Sequence, residues 1–155
     1  MLESQNNGET FGLVTGPAPA TVLNCLSVLS EDVWVVGSAA GNAYYTKDRG
    51  VTWHAMAFPG SGVGSVTQIY FDKRNPAFGL LAHRNATPAA KVYRTTDAGN
   101  SWEQVTLTGY PTSDTCSRFA AWDCNTLLAG GIATTTTDGI LALAKNERLS
   151  DDIVS

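Results

Sequence analysis

A chain of 155 residues, 43% hydrophobic and 15% charged, is long enough for one domain with a buried core and is poor in charge for a globular protein. Its net charge of −4 leaves no electrostatic footprint for nucleic acid or anionic membrane, since its ten Lys and Arg stand singly apart from Lys73-Arg74. No apolar run nears the ~18 residues that cross a bilayer, and Met1 to Asn7 lack the cationic-then-apolar order of a secretory signal, so cytoplasm or a virion is the expected location.

In chain order the first element is an octet, Ser4-Gln5-Asn6-Asn7-Gly8-Glu9-Thr10-Phe11, followed by a strand ending on Val14. The octet recurs as Thr46-Lys47-Asp48-Arg49-Gly50-Val51-Thr52-Trp53 and as Thr95-Thr96-Asp97-Ala98-Gly99-Asn100-Ser101-Trp102. The shared pattern is Thr/Ser-x-Asp-x-Gly-x-x-aromatic, with Asn6 for Asp and Phe11 for Trp in the first copy. Its physical reading is a pinned hairpin turn. Gly8, Gly50 and Gly99 supply a positive φ. The side chains of Asn6, Asp48 and Asp97 bond turn amides. Phe11, Trp53 and Trp102 leave on a new strand and pack beneath the turn.

Between the octets, three kinds of segment repeat. Cys25–Val28, Gln68–Phe71 and Arg118–Ala121 alternate small or polar with apolar residues, the period of a half-buried strand. Turn residues follow, and then the apolar runs Val33–Gly37, Ala77–Leu81 and Thr126–Gly130, which suit buried strands. A third strand leads into each octet position at Ala43–Tyr45, Val92–Arg94 and Leu141–Leu143, and a fourth leaves it toward Met56 and Val105. A fourth octet around Asn146 is degenerate, because Arg148 and Asp151 take the Gly and aromatic positions. Residues Leu141–Asp152 favour helix by propensity, but the repeat makes them strand and then a loosened turn, and strand is expected.

The interval from Asp48 to Asp97 is 49 residues and that from Asn6 to Asp48 is 42, the spacing of propeller blades. Four short strands per period make one blade. The expectation is an all-β propeller segment of about three four-stranded antiparallel blades. Residues 1–14 give the last strand of one blade, 22–57 and 66–106 a blade each, and 116–146 a degenerate blade. A closed ring takes roughly four to eight blades, so this is a partial ring or half of an oligomeric one, with self-association or a larger assembly as its partner.

The octets resemble the Asp-box, or BNR repeat. The run from Val66 to Pro76, with that from Lys91 to Trp102, is similar to blades of the photosystem II assembly and stability factor family, the xyloglucan-cleaving glycoside hydrolases, the sialidases and the sortilin ectodomain. The resemblance covers residues 4 to about 143 and implies that Asp48 and Asp97 are scaffold residues. It does not choose an activity, because these families share the repeat and differ in function.

Glycoside cleavage requires two carboxyl groups facing one cleft. Candidates outside the octets are Glu31, Asp32, Asp72, Asp114, Asp123 and Asp138, of which Asp32, Asp72 and Asp123 fall at equivalent turn positions. The arginines show no cluster of sialidase type. His54 and His83 lack metal-ligand spacing. Cys116 and Cys124 are spaced for a bridge across a hairpin, but Cys25 is then left over, and reduced thiols are expected. The reading is a non-catalytic structural or binding module with no cofactor or metal, of assembly-factor or virion type, with a glycoside hydrolase or carbohydrate-binding propeller as the alternative. Loops 58–65, 83–90 and 108–115 are its expected contact surfaces, with Phe58 and Tyr110 as aromatic anchors.

Overall fold

The computed structural model describes residues 1–17, 22–84, 91–105, 115–121, 127–132 and 140–143. Every element among them is a strand, and all pairings are antiparallel. β1 (Leu2–Glu3) and β2 (Gly12–Leu13) form a hairpin around the first octet. β3 (Leu23–Val28), β4 (Trp34–Ser38), β5 (Ala43–Thr46) and β6 (His54–Met56) form the first four-stranded sheet, in sequence order. β7 (Ser65–Phe71), β8 (Gly79–Arg84), β9 (Lys91–Thr95) and β10 (Glu103–Val105) form the second. β11 (Thr115–Ala121), β12 (Leu127–Ile132) and β13 (Ile140–Leu143) form a three-stranded sheet. The strand expected at 141–143 is therefore present. The degenerate octet around Asn146 lies outside the described residues.

The first octet departs from the sequence reading. A strand precedes it as well as follows it, because Leu2 pairs with Leu13 and Glu3 with Gly12. The Met1 amino group also donates to the Val14 carbonyl at 3.0 Å.

Local sequence explains which strands are central. β4 is buried at every position and β8 at all but its last, as expected of apolar runs flanked on both edges and covered on both faces. The innermost strands β3, β7 and β11 each carry a β-bulge at the same register, between Leu23 and Cys25, between Val66 and Gln68, and between Cys116 and Arg118. Bulges bend a strand and raise its twist. Their recurrence aligns Leu26 with Ile69 and Phe119, and Val28 with Phe71 and Ala121.

The core lies between sheets. Val35, Ala43 and Met56 of the first sheet pack with Val66, Ile69, Phe71, Leu81, Tyr93 and Trp102 of the second. Close approach is set at Gly37, where a Cβ would lie 2.4 Å from Val66 Cγ1 and 2.7 Å from Cys25 Sγ, so only glycine fits. Polar contacts fix the alignment. The Phe71 N–H donates to Ser27 Oγ at 3.2 Å, and Asn24 Nδ2 donates to Ser65 Oγ at 2.7 Å. The second and third sheets are clipped by Gln68, whose Nε2 donates to the Phe119 carbonyl while its Oε1 accepts from the Phe119 N–H, both at 2.8 Å. Among the described residues the sheets do not close into a ring.

Candidate protein-interaction surface

The octets form one construction three times. The Gly N–H donates to the first-position hydroxyl, at 2.8 Å to Ser4, 2.9 Å to Thr46 and 2.9 Å to Thr95. That hydroxyl donates in turn to the Oδ1 of Asn6, Asp48 or Asp97 at 3.0, 2.7 and 2.7 Å. The same Oδ1 accepts the N–H of Thr10, Thr52 or Ser101, closing the turn. The glycines have φ of 88, 84 and 85°. The residue before each, Asn7, Arg49 or Ala98, also has positive φ, which the sequence pattern did not reveal because Arg and Ala carry no preference for it.

Each octet has a further participant. The seventh position is Thr or Ser in every copy, and the hydroxyls of Thr52 and Ser101 donate to the second carboxylate oxygen at 2.5 Å. At Asn6 the polarity reverses, and the amide Nδ2 donates to Thr10 Oγ1 at 2.8 Å. The carboxyls of Asp48 and Asp97 are held down at about 2, first by the hydroxyl bond from Thr52 or Ser101 and then by that residue's N–H and by Thr46 or Thr95. Within the turn, each carboxylate accepts two bonds on Oδ1 and one on Oδ2.

The third octet packs as expected, with Trp102 only 8% exposed and edge-on to Phe71 at 5.9 Å. Trp53 is half-buried, donating from Nε1 to the Thr15 carbonyl at 3.0 Å. Phe11 is the correction: it is 61% exposed, because no neighbouring sheet stands over its hairpin.

A groove opens in that uncovered region. Of about 650 Å³, it lies between the β1–β2 hairpin and the first sheet, floored by Leu26, Val28, Trp34 and Val36 and walled by Leu2 and Val14. Leu26 and Val28 are 57% and 41% exposed. Arg49 straps the rim, bonding Glu3 at 2.8 Å and also Glu31, which holds the Glu3 carboxyl below its ordinary range. Being exposed, these ion pairs orient the hairpin more than they stabilise it.

Phe58, expected as an exposed anchor, is 5% exposed and packs against His83 and Tyr93 at ring distances of 5.5 Å. Its loop is pinned by Gly62 N–H donating to the Gly41 carbonyl at 3.0 Å and by His83 Nε2 meeting the Val63 carbonyl at 2.5 Å. Burial lowers the His83 pKa. Tyr110 lies outside the described residues, as do Asp114, Asp123, Asp138 and Cys124. Asp72 accepts the Arg74 N–H at 2.8 Å in a turn of its own, and Glu31 serves Arg49. Arg94 pairs with Glu103. His54 is exposed and stacks on Tyr45. Cys25 is a free thiol whose pKa burial pushes up to about 11, so it is not poised as a nucleophile. Among the described residues no group of His, Cys, Asp and Glu is placed to hold a metal ion, and no helix is long and apolar enough to cross a membrane.

No family model matches the chain, and no curated protein does. Solved structures do. One is YCF48 bound to D1 peptide, at 18% identity and a TM-score of 0.56, with 74% of this chain covering 36% of that one. Another is YCF48 from Cyanidioschyzon merolae, at 20% identity and 0.54, with 74% of this chain covering 33% of that one. A third is the GH74 xyloglucanase from Xanthomonas campestris, at 19% identity and 0.62, with 81% of this chain covering 22% of that one. The chain therefore spans about a third or less of the length of these structures. With its successive antiparallel four-stranded sheets, the likeness establishes the fold: the chain is part of a β-propeller.

Proposed function

We propose that this chain is an Asp-box β-propeller segment that works through protein–protein contacts in a larger assembly, as an assembly-factor-like scaffold or a virion component, and does not catalyse a reaction. The observation that carries this reading is the groove beside β3, a contiguous apolar surface rimmed by the Glu3–Arg49–Glu31 ion pairs. Apolar patches of this kind with polar rims mark docking sites. The YCF48 structure supports it, since there a propeller of similar build is bound to a peptide. The described carboxylates support it too, because Asp48, Asp72 and Asp97 are engaged by their own turns and Glu3 and Glu31 by Arg49.

The likeness to a xyloglucanase motivates the second reading, a glycoside-cleaving or carbohydrate-binding propeller. A screen for reducing ends released from xyloglucan and sialylated substrates separates the two. No release is expected, and cleavage that disappears in Asp123→Asn overturns the non-catalytic reading. In parallel, the groove is expected either to bind an apolar dye or to be covered by a protein molecule, with Leu26→Glu abolishing whichever is found. A parent protein that does neither has no docking surface there.

A further inference from the structure

The chain makes one inter-sheet contact twice and leaves its third copy half-made. Ile69 and Phe71, on the face of the second sheet that meets the first, are 4% and 3% exposed. They are covered by the opposite face of the first sheet, which carries Cys25, Ser27, Val35 and Gly37. Phe119, at the same register in β11, is 7% exposed under the second sheet and is clipped by Gln68. Leu26 and Val28 hold this register in β3, yet only the β1–β2 hairpin stands on their side. At the far end Ala120, the register equivalent of Ser27 and Tyr70, is exposed on the face that in both earlier sheets covers the next one. The first and third sheets thus each carry a half-contact that the other complements.

We infer that a second copy of this chain covers Leu26 and Val28 with the Ala120 face of its three-stranded sheet. This head-to-tail contact continues the interface already made twice within each chain. The inference rests on the protein-contact reading above and names the partner. The contact is heterologous, so it either closes into a ring or propagates. Two copies joined at both ends bring six propeller sheets together, within the roughly four to eight that close.

Light scattering on the purified 155-residue chain is the first measurement, and a mass twice the 16.4 kDa of one chain is expected. Leu26→Glu and Ala120→Glu, both at exposed positions, each weaken the dimer by about 30-fold or more, the loss typical of truncating an interface anchor. Val51→Glu, at an exposed residue outside the groove, leaves it intact. Mixing the two monomeric variants restores a one-to-one complex, because one keeps an intact β11 face and the other an intact β3 face. Unchanged far-ultraviolet circular dichroism shows that each variant folds, and Leu26→Ser and Ala120→Ser replace any that does not. An Ala120→Glu protein that still dimerises overturns the head-to-tail contact. A parent monomer whose groove binds an apolar dye overturns self-association and leaves the protein-contact reading standing, whereas one that binds no dye overturns both. Assemblies larger than a dimer, dissolved by the same two substitutions, support the contact and overturn closure at two copies.

Discussion

Replacing Gly99 by valine separates the two demands that the octet makes on its glycine. The first is conformational: at φ 85° a Cβ meets the backbone, and for a β-branched residue this strain costs about 1–2 kcal/mol. The second is space. A Cβ on Gly99 would lie 2.8 Å from Met56 Cε, 3.2 Å from Met56 Sδ and 3.5 Å from the Phe71 ring. Met56 is adaptable, so overpacking adds about 1–2 kcal/mol, toward the lower end of the usual range. A less flexible unfolded chain returns about 0.5–1 kcal/mol. The net loss is then about 1–3.5 kcal/mol, a fall in Tm of about 2–14 °C for a chain of this size. Gly8 provides the internal control, because its φ is 88° but nothing lies within 4 Å of its would-be Cβ. Gly8→Val therefore carries the strain alone and costs about 1 kcal/mol. Urea unfolding of parent, Gly8→Val and Gly99→Val measures all three. A Gly99→Val midpoint equal to the parent's refutes the turn assignment, and equal losses at the two glycines refute the packing contribution.

Further outcomes follow from the same geometry. Thr95→Val keeps the shape but removes the buried hydroxyl that serves both Gly99 N–H and Asp97 Oδ1, and a loss of about 1–3 kcal/mol in denaturant unfolding is expected. Gly37→Ala drives a methyl into Val66 and costs about 1–3 kcal/mol, with part recovered in the Gly37→Ala, Val66→Ala double variant if the contact between sheets is as described. Because the folded-state pKa of Asp48 and Asp97 is depressed to about 2 from 3.8, their contribution to stability is present above the unfolded value and is lost as pH falls through the folded one. Unfolding midpoints should drop between these two values. In Ser101→Ala the Asp97 carboxyl, followed by NMR, should titrate closer to 3.8, and an unmoved titration would show that the hydroxyl bond is not what depresses it.

The sequence by itself determined the turns and the strands, because both are settled within a few residues. Thr95, Asp97 and Gly99 meet in one hydrogen-bonded turn wherever that spacing occurs, and the alternation in Cys25–Val28 and Gln68–Phe71 is a property of the pleat. The hydroxyl at position seven is equally legible in Thr10, Thr52 and Ser101, although its bond to the carboxylate lies outside the Thr/Ser-x-Asp-x-Gly-x-x-aromatic pattern. Positive φ at Arg49 and Ala98 was not legible, since it is imposed by the glycine turn that follows and not by those side chains.

Burial was decided by the tertiary structure. Trp102 and Phe11 occupy the same octet position, yet one is core and the other is exposed, because a complete sheet stands beside the first and not beside the second. Leu26 and Ile69 divide in the same way. Phe58, placed by sequence on a contact loop, is drawn inward where that loop is tied to Gly41 and to His83, residues distant along the chain. A local pattern specifies which way a side chain points; whether it meets water or another side chain depends on a second surface that arrives from elsewhere in the chain or from another molecule.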